Sequence, residues 1–139
     1  MNACLVSCSN KKHTHTMKAK DIYSKSALFR RSSAYANSGL FDKWFILSAK
    51  HGLLLPEAEI APYDLYLGDY NKDQRIVWGA GAFIKLRSLV PDGSKITILA
   101  SKVYVDALTP YLVNKFEVCT PLKSKRIGEQ LQWLIKQTQ

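Results

Sequence analysis

The block Ser48-Ala49-Lys50-His51-Gly52 follows the apolar run Phe45-Ile46-Leu47 and gathers a hydroxyl, an ammonium and an imidazole within four residues. His51 carries the side chain whose charge changes most easily near neutral pH. A buried strand that ends in polar groups delivers them to the rim of its sheet. In open α/β folds that rim is where ligands bind. An ordinary solvated turn after a core strand is the alternative.

Two further stretches carry chemistry. Cys8-Ser9-Asn10-Lys11-Lys12 follows the apolar run Ala3 to Ser7, and small hydroxyl and amide residues beside two lysines can converge on one phosphate or carboxylate. The glycines of a P-loop or a dinucleotide fingerprint are missing, so neither nucleotide fold is signalled. A solvated basic loop explains the segment equally well. Asp64 sits between Tyr63 and Leu65 in a long segment of prolines and aromatics, where its carboxyl could act as a base or an electrostatic stabiliser, or simply cap a turn. Tyr23, Arg30 and Tyr104 are the remaining candidates for ligand contact, with core packing or solvation as their commoner fates.

The 139 residues, 47% of them hydrophobic, suffice for one core and therefore one domain. A net charge of +9 gives a surface that attracts phosphates and polyanions, although it also serves solubility alone. No apolar run reaches the roughly 18 residues of a membrane span, and no leader pattern opens the chain, so a soluble, cytoplasmic protein is expected. Cys4, Cys8 and Cys119 are an odd number at no disulfide-like spacing, as suits a reducing compartment. Cys8, His13, His15 and Cys119 match no common zinc pattern, and neither a metal nor a cofactor is expected.

The elements that must position these residues follow from periodicity. Strands are expected at Ala3 to Ser7, Trp44 to Ser48, Lys95 to Ala100 and Lys115 to Cys119. A helix capped by Ser24 or Ser26 should bury Ala27, Leu28, Phe29, Ala34 and Tyr35 and stop at Asn37-Ser38-Gly39. A second, from Lys72 to about Leu89, shows a broad apolar stripe of Ile76, Val77, Trp78, Ala80, Phe83, Ile84 and Leu86. A third carries Val103, Tyr104, Ala107, Leu108 and Leu112 with Pro110 inside, and a fourth runs from about Ile127 to Lys136. The alternating order predicts a single-domain, three-layer α/β/α fold around a mainly parallel sheet of about four strands. Cys8 to Lys12, Ser48 to Gly52, Ser101 to Tyr104 and Thr120 to Arg126 then leave at one edge, so four polar and mostly basic loops share one rim.

The motifs C-S-x-K-K at residues 8 to 12, Tyr23-Ser24, Leu28-Phe29-Arg30, F-I-L-S-A-K-H-G-L-L, P-Y-D-x-x-L and the closing I-G-E-Q-L-Q-W-L resemble a family of small, largely uncharacterised bacterial and phage proteins. That family is distantly similar to the peroxide-stress protein YaaA and to the core domain of archaeosine synthase, which sits on a uracil-DNA-glycosylase-like α/β fold. The resemblance implies a nucleobase or nucleoside site, with Cys8, Ser9, Lys12, Tyr23, Ser48, Lys50, His51, Gly52, Tyr63 and Asp64 in motif positions. Ser101 stands where the pattern has glycine, and Lys125-Arg126 replaces smaller residues.

The implied reaction is cleavage or exchange of an N-glycosidic bond on a nucleotide or nucleic acid. It needs stabilisation of an oxocarbenium-like sugar, an activated nucleophile and a hydrogen bond to the departing base. Asp64, His51 and Lys50 are the catalytic candidates. Cys8, Ser9, Lys11, Lys12, Tyr23, Arg30, Ser48, Gly52, Tyr63 and Tyr104 are the binding candidates, with Tyr23 or Tyr63 stacking on a base. A lysine Schiff base from Lys12 or Lys50 is a variant, and a Cys8 nucleophile a weaker one. The competing class is a module that binds a nucleotide or nucleic acid without turning it over. Partners are thus a nucleotide, nucleoside or nucleic acid, with no membrane and no readable oligomeric state.

Overall fold

The computed structural model describes residues 1–138. In chain order the elements are β1 (Asn2–Ser7), β2 (Met17–Lys18), α1 (Ala19–Ile22), α2 (Ala27–Ala36), β3 (Lys43–Ser48), β4 (Gly52–Leu54), β5 (Glu59–Ile60), a 3-10 turn (Leu67–Asp69), α3 (Lys72–Leu89), β6 (Lys95–Leu99), α4 (Lys102–Leu112), β7 (Glu117–Cys119) and α5 (Ile127–Gln137). The central sheet has the order β4-β3-β1-β6-β7. β1 pairs in parallel with β3 and β6, and β6 with β7, as the alternating sequence demands.

Side-chain alternation along the inner strands divides the core in two. Ala3, Leu5, Phe45, Leu47, Ile96 and Ile98 face one layer with Trp78, Leu86, Leu108 and Leu112 of α3 and α4. Cys4, Val6, Ile46 and Leu99 face the other with Phe29 of α2 and Leu134 of α5. With both faces covered, the inner parts of these strands read as near-continuous apolar runs, interrupted by Thr97 in β6. At about 25 cal/mol per Å² of apolar surface, this two-sided burial is the main term holding the layers together.

Three details depart from expectation. The sheet has a fifth strand, β4, which turns back from β3 and pairs antiparallel with Ser48 opposite Gly52. The block Ser48 to Gly52 is therefore a hairpin connection, and Gly52 takes φ +70, a left-handed conformation that glycine adopts without a Cβ clash. Residues beyond it are also less loose than a long loop implies, since β5 pairs antiparallel with β2 to form a small ribbon.

The apolar stripe of α3 is broader than the sheet can cover. Trp78, Gly79, Ala82 and Leu86 are buried, whereas Ile76, Val77 and Ile84 remain exposed. Gly79 lets α3 lie close to α4, because a Cβ there would collide with the carbonyl oxygen of Ala107. On α2 the buried face is Phe29, Ser32 and Ala36, while Ala27 and Ala34 are exposed. Ser26 supplies the cap, its Oγ accepting from the Phe29 N–H at 3.2 Å. Pro110 is accommodated inside α4, which continues to Leu112. No helix among the described residues is long and apolar enough to cross a membrane.

Candidate functional site at the carboxyl edge of the sheet

The chain leaves β1 toward β3 on one side and later enters β6 on the other, so the strand order reverses at β1. The crevice at a reversal of this kind, outside the carboxyl ends of the strands, is the usual ligand position in open α/β sheets. Cys8 stands there, its N–H donating to the Leu47 carbonyl at 2.8 Å and tying the end of β1 to β3. Its Sγ lies 3.1 Å from the Tyr104 hydroxyl. A small crevice of about 60 Å³ opens beside it, lined among others by Ser9, Ser26, Ser32 and Gln130. A water needs about 10–15 Å³ of such space, so the crevice has room for a few waters or a small polar substituent.

Ser48 joins two halves of the site. On the α2 side its Oγ lies 2.7 Å from the Tyr63 hydroxyl, which is 2.6 Å from the Tyr23 hydroxyl. The same Oγ accepts from the His51 N–H at 3.2 Å, which shapes the hairpin. On the α3 side the Ser48 carbonyl accepts from Trp78 Nε1–H at 2.8 Å, and Trp78 meets Tyr104 edge-on with centroids 5.6 Å apart. The Tyr70 hydroxyl donates to the Ala49 carbonyl at 2.7 Å. The Ser48 hydroxyl and the Ser48 and Ala49 carbonyls are thereby each held by a neighbour.

Two cationic or titrating groups reach the tyrosine pair from outside. Lys12 Nζ lies over the Tyr63 ring at 4.5 Å and near the Tyr23 ring at 5.9 Å, a cation–π arrangement. The His51 ring meets Tyr63 edge-on at 5.5 Å. Burial pushes the Tyr23 hydroxyl up to about 12, and burial with the adjacent Cys8 sulfur raises Tyr63 and Tyr104 as well. These phenols stay protonated at neutral pH and act as neutral hydrogen-bonding groups, not as bases. For His51 the shift is downward, first from partial burial and then from the charges of Lys50 and Lys85.

The sign of that shift gives a measurable pH dependence. A histidine whose pKa falls on folding binds more protons when unfolded, between its folded value and the ordinary value of about 6.5. Its contribution to stability is intact above that window and declines as pH falls through it. In an NMR titration the His51 ring should turn over below a free imidazole, and Lys50→Ala should raise the midpoint only in part, because burial is the larger cause. A midpoint at or above that of a free imidazole would contradict the geometry.

Cys8, Lys12, Tyr23, Ser48, His51, Gly52, Tyr63 and Tyr104 are thus brought to one rim. Tyr23 and Ser48 are fully buried, so they position their neighbours, and Tyr63 is partly exposed. Ser9 is engaged with its own loop, its Oγ accepting from the N–H of the exposed Lys11 at 3.1 Å. Asp64 is exposed and has no hydrogen-bond or ion-pair partner among the described residues. Lys50, exposed, lines a separate open groove with Tyr70, Asp73 and Trp78. Arg30 is placed elsewhere: its guanidinium donates to the Ser24 carbonyl at 2.7 Å and borders a groove with Asp21 and Trp44. Among the basic residues of the other rim loops, Lys102 and Lys123 are both paired with Asp106, which lowers that carboxyl's pKa and draws α4 to the loop after β7.

Sequence reading assigned Trp78 to the helix stripe and overlooked its contact with the strand end. The available signal was chemical: a buried indole N–H needs an acceptor. No group of three or more His, Cys, Asp or Glu residues among those described is arranged to hold a metal ion.

Comparison with known proteins places the chain. Residues 3–136 match DUF6884, a family of unknown function. The chain belongs to the DUF6884 family. The match spans β1 through α5, hence all the rim loops described above. A relative in Bacillus subtilis strain 168, the uncharacterized protein YfjM, is 30% identical over 148 residues, covering 94% of this chain and 91% of its own length.

Proposed function

We propose that this DUF6884 protein recognises a nucleobase or nucleoside at the carboxyl edge of its sheet and cleaves or exchanges the N-glycosidic bond. The observation that carries the reading is the convergence of Lys12, Tyr63 and His51 over a pre-ordered Tyr23–Tyr63–Ser48 hydroxyl chain at the point of strand reversal. Resemblance to YaaA and to the archaeosine synthase core supports the same substrate class.

In this proposal the base rests against the Tyr63 ring, a contact of about 1–3 kcal/mol per stacked base. One exocyclic substituent enters the crevice beside Cys8. Lys12 offsets negative charge on the departing base or a nearby phosphate. His51, neutral at pH 7 because its pKa is lowered, donates an N–H hydrogen bond to a base carbonyl and does not transfer a full proton. Asp64, next to Tyr63 in the chain, is the carboxylate that faces the developing cationic sugar and takes the proton from water.

The test is incubation with nucleosides, nucleotides and single-stranded oligonucleotides, followed by chromatography for free base. Asp64→Asn should lower turnover of a verified substrate by about 10²–10⁴, and His51→Ala by about 10². Neither should disturb folding, because both side chains are exposed. Unchanged turnover in both variants sinks the assignment of roles. The free state of Asp64 favours a second reading, binding without chemistry, and its signature is an intact ligand retained in native mass spectrometry.

A further inference from the structure

On the sheet face opposite the tyrosine pair, α3 and α4 enclose a groove of about 510 Å³. That size falls within the range of about 300–1,000 Å³ typical of small-molecule sites. Its walls are apolar, from Ile76, Val103, Pro110 and Tyr111, and its charges are Lys72, Arg75 and Asp106. Asp106 is already matched by Lys102 and Lys123, so the groove's free charge is positive. Lys72 opens α3 and Arg75 lies in its first turn, where the positive end of the helix dipole adds to both.

The guanidinium of Arg75 is the decisive group. One of its terminal nitrogens donates to the Gly68 carbonyl at 2.7 Å, which fixes the side chain. Its Nε–H is buried and has no hydrogen-bond partner among the described residues. That nitrogen is closed to solvent and hence to a ligand in the groove, but Arg75 as a whole is only partly buried, and the guanidinium brings to the groove it lines a fixed charge and further N–H donors of the kind that carboxylates and phosphates accept. We propose that the α3–α4 groove is a second ligand site, for a small organic anion whose apolar body lies between the helices and whose carboxylate or phosphate meets Arg75 and Lys72. This assignment does not rest on the nucleobase reading of the rim and takes no contact from it.

The experiment is an NMR titration of the ¹⁵N-labelled full chain with phenyl phosphate, benzoate and uncharged benzyl alcohol, following the Arg75 Nε–H and the backbone amides. One or both anions should shift the Arg75 Nε–H saturably, together with amides of α3 and α4 around Lys72 and Val103, while the alcohol should not. Whichever anion binds more tightly identifies the headgroup. Lys72→Glu, at an exposed position, should weaken binding by about tenfold, as loss of one charge-assisted contact does. Arg75→Lys keeps the charge but removes the fork and should weaken it similarly. Shifts confined to the rim around Lys12 and Tyr63, an equal response to benzyl alcohol, no saturable response, or unaltered affinity in both variants would each overturn the proposal.

Discussion

Trp78→Ala is expected to lower folding stability by about 3–5 kcal/mol, the range for removing a large buried aromatic. Three effects add at this position. The cavity left by the indole opens in the α3–α4 layer, in the core cluster that Trp78 shares with Leu47, Leu53 and Tyr104. The edge-on contact with Tyr104 is lost. The Ser48 carbonyl also loses its donor in a buried setting. Total stabilities of small domains run to about 5–15 kcal/mol, so the variant should unfold at much lower urea concentration. Trp78→Phe separates the contributions: it keeps most of the packing and forfeits the N–H, with an expected loss of about 1–3 kcal/mol. An alanine variant within 1 kcal/mol of the parent would show that the indole does not anchor the strand end.

The second large effect is expected for Tyr63→Phe, which keeps the ring beneath Lys12 and deletes one oxygen. That oxygen lies between Tyr23 and Ser48, both fully buried, so its loss strands the Tyr23 hydroxyl while Ser48 retains the His51 N–H. A cost of about 1–3 kcal/mol follows for the stranded group. Removing the Tyr23 hydroxyl as well should return part of that loss, because two absent partners leave nothing unsatisfied. A Tyr23→Phe/Tyr63→Phe double variant destabilised by the sum of the single changes or by more would refute the shared hydrogen bond. On the proposed nucleobase reading, Tyr63→Phe should also weaken ligand binding by loosening the ring at position 63, with the cation–π contact of Lys12 still present.

Much of the architecture was legible because both strand faces are covered. Apolar runs at Ala3 to Ser7, Phe45 to Leu47 and Ile96 to Leu99, separated by helical periodicity, admit little besides a parallel sheet with helices on each side. The convergence of the loops after β1, β3, β6 and β7 at one edge follows from that topology alone. Strand β4 was not legible, since three residues carry no period and their pairing depends on the hairpin formed by Ser48 to Gly52. The outer side of α3 was also misread: hydrophobicity sets how much could be buried, but contact with the sheet and α4 decides that Val77 and Ile84 stay outside.

The site divides along the same line. Residue types and spacing determined that Cys8, Lys12, Ser48, His51 and Tyr104 arrive at one rim, because each ends a strand there or follows it within a few residues. Only the tertiary structure decided that Tyr23 and Ser48 are buried supports, that Arg30 lies elsewhere and that Trp78 holds the strand end. Those assignments depend on which donors meet which acceptors in the packed structure, some of them far apart in the chain, as with Trp78 and Ser48 or Tyr23 and Tyr63. A sequence prescribes the order in which groups are delivered to an edge; burial and hydrogen-bond satisfaction, which exist only once the layers have packed, choose which of them face a ligand.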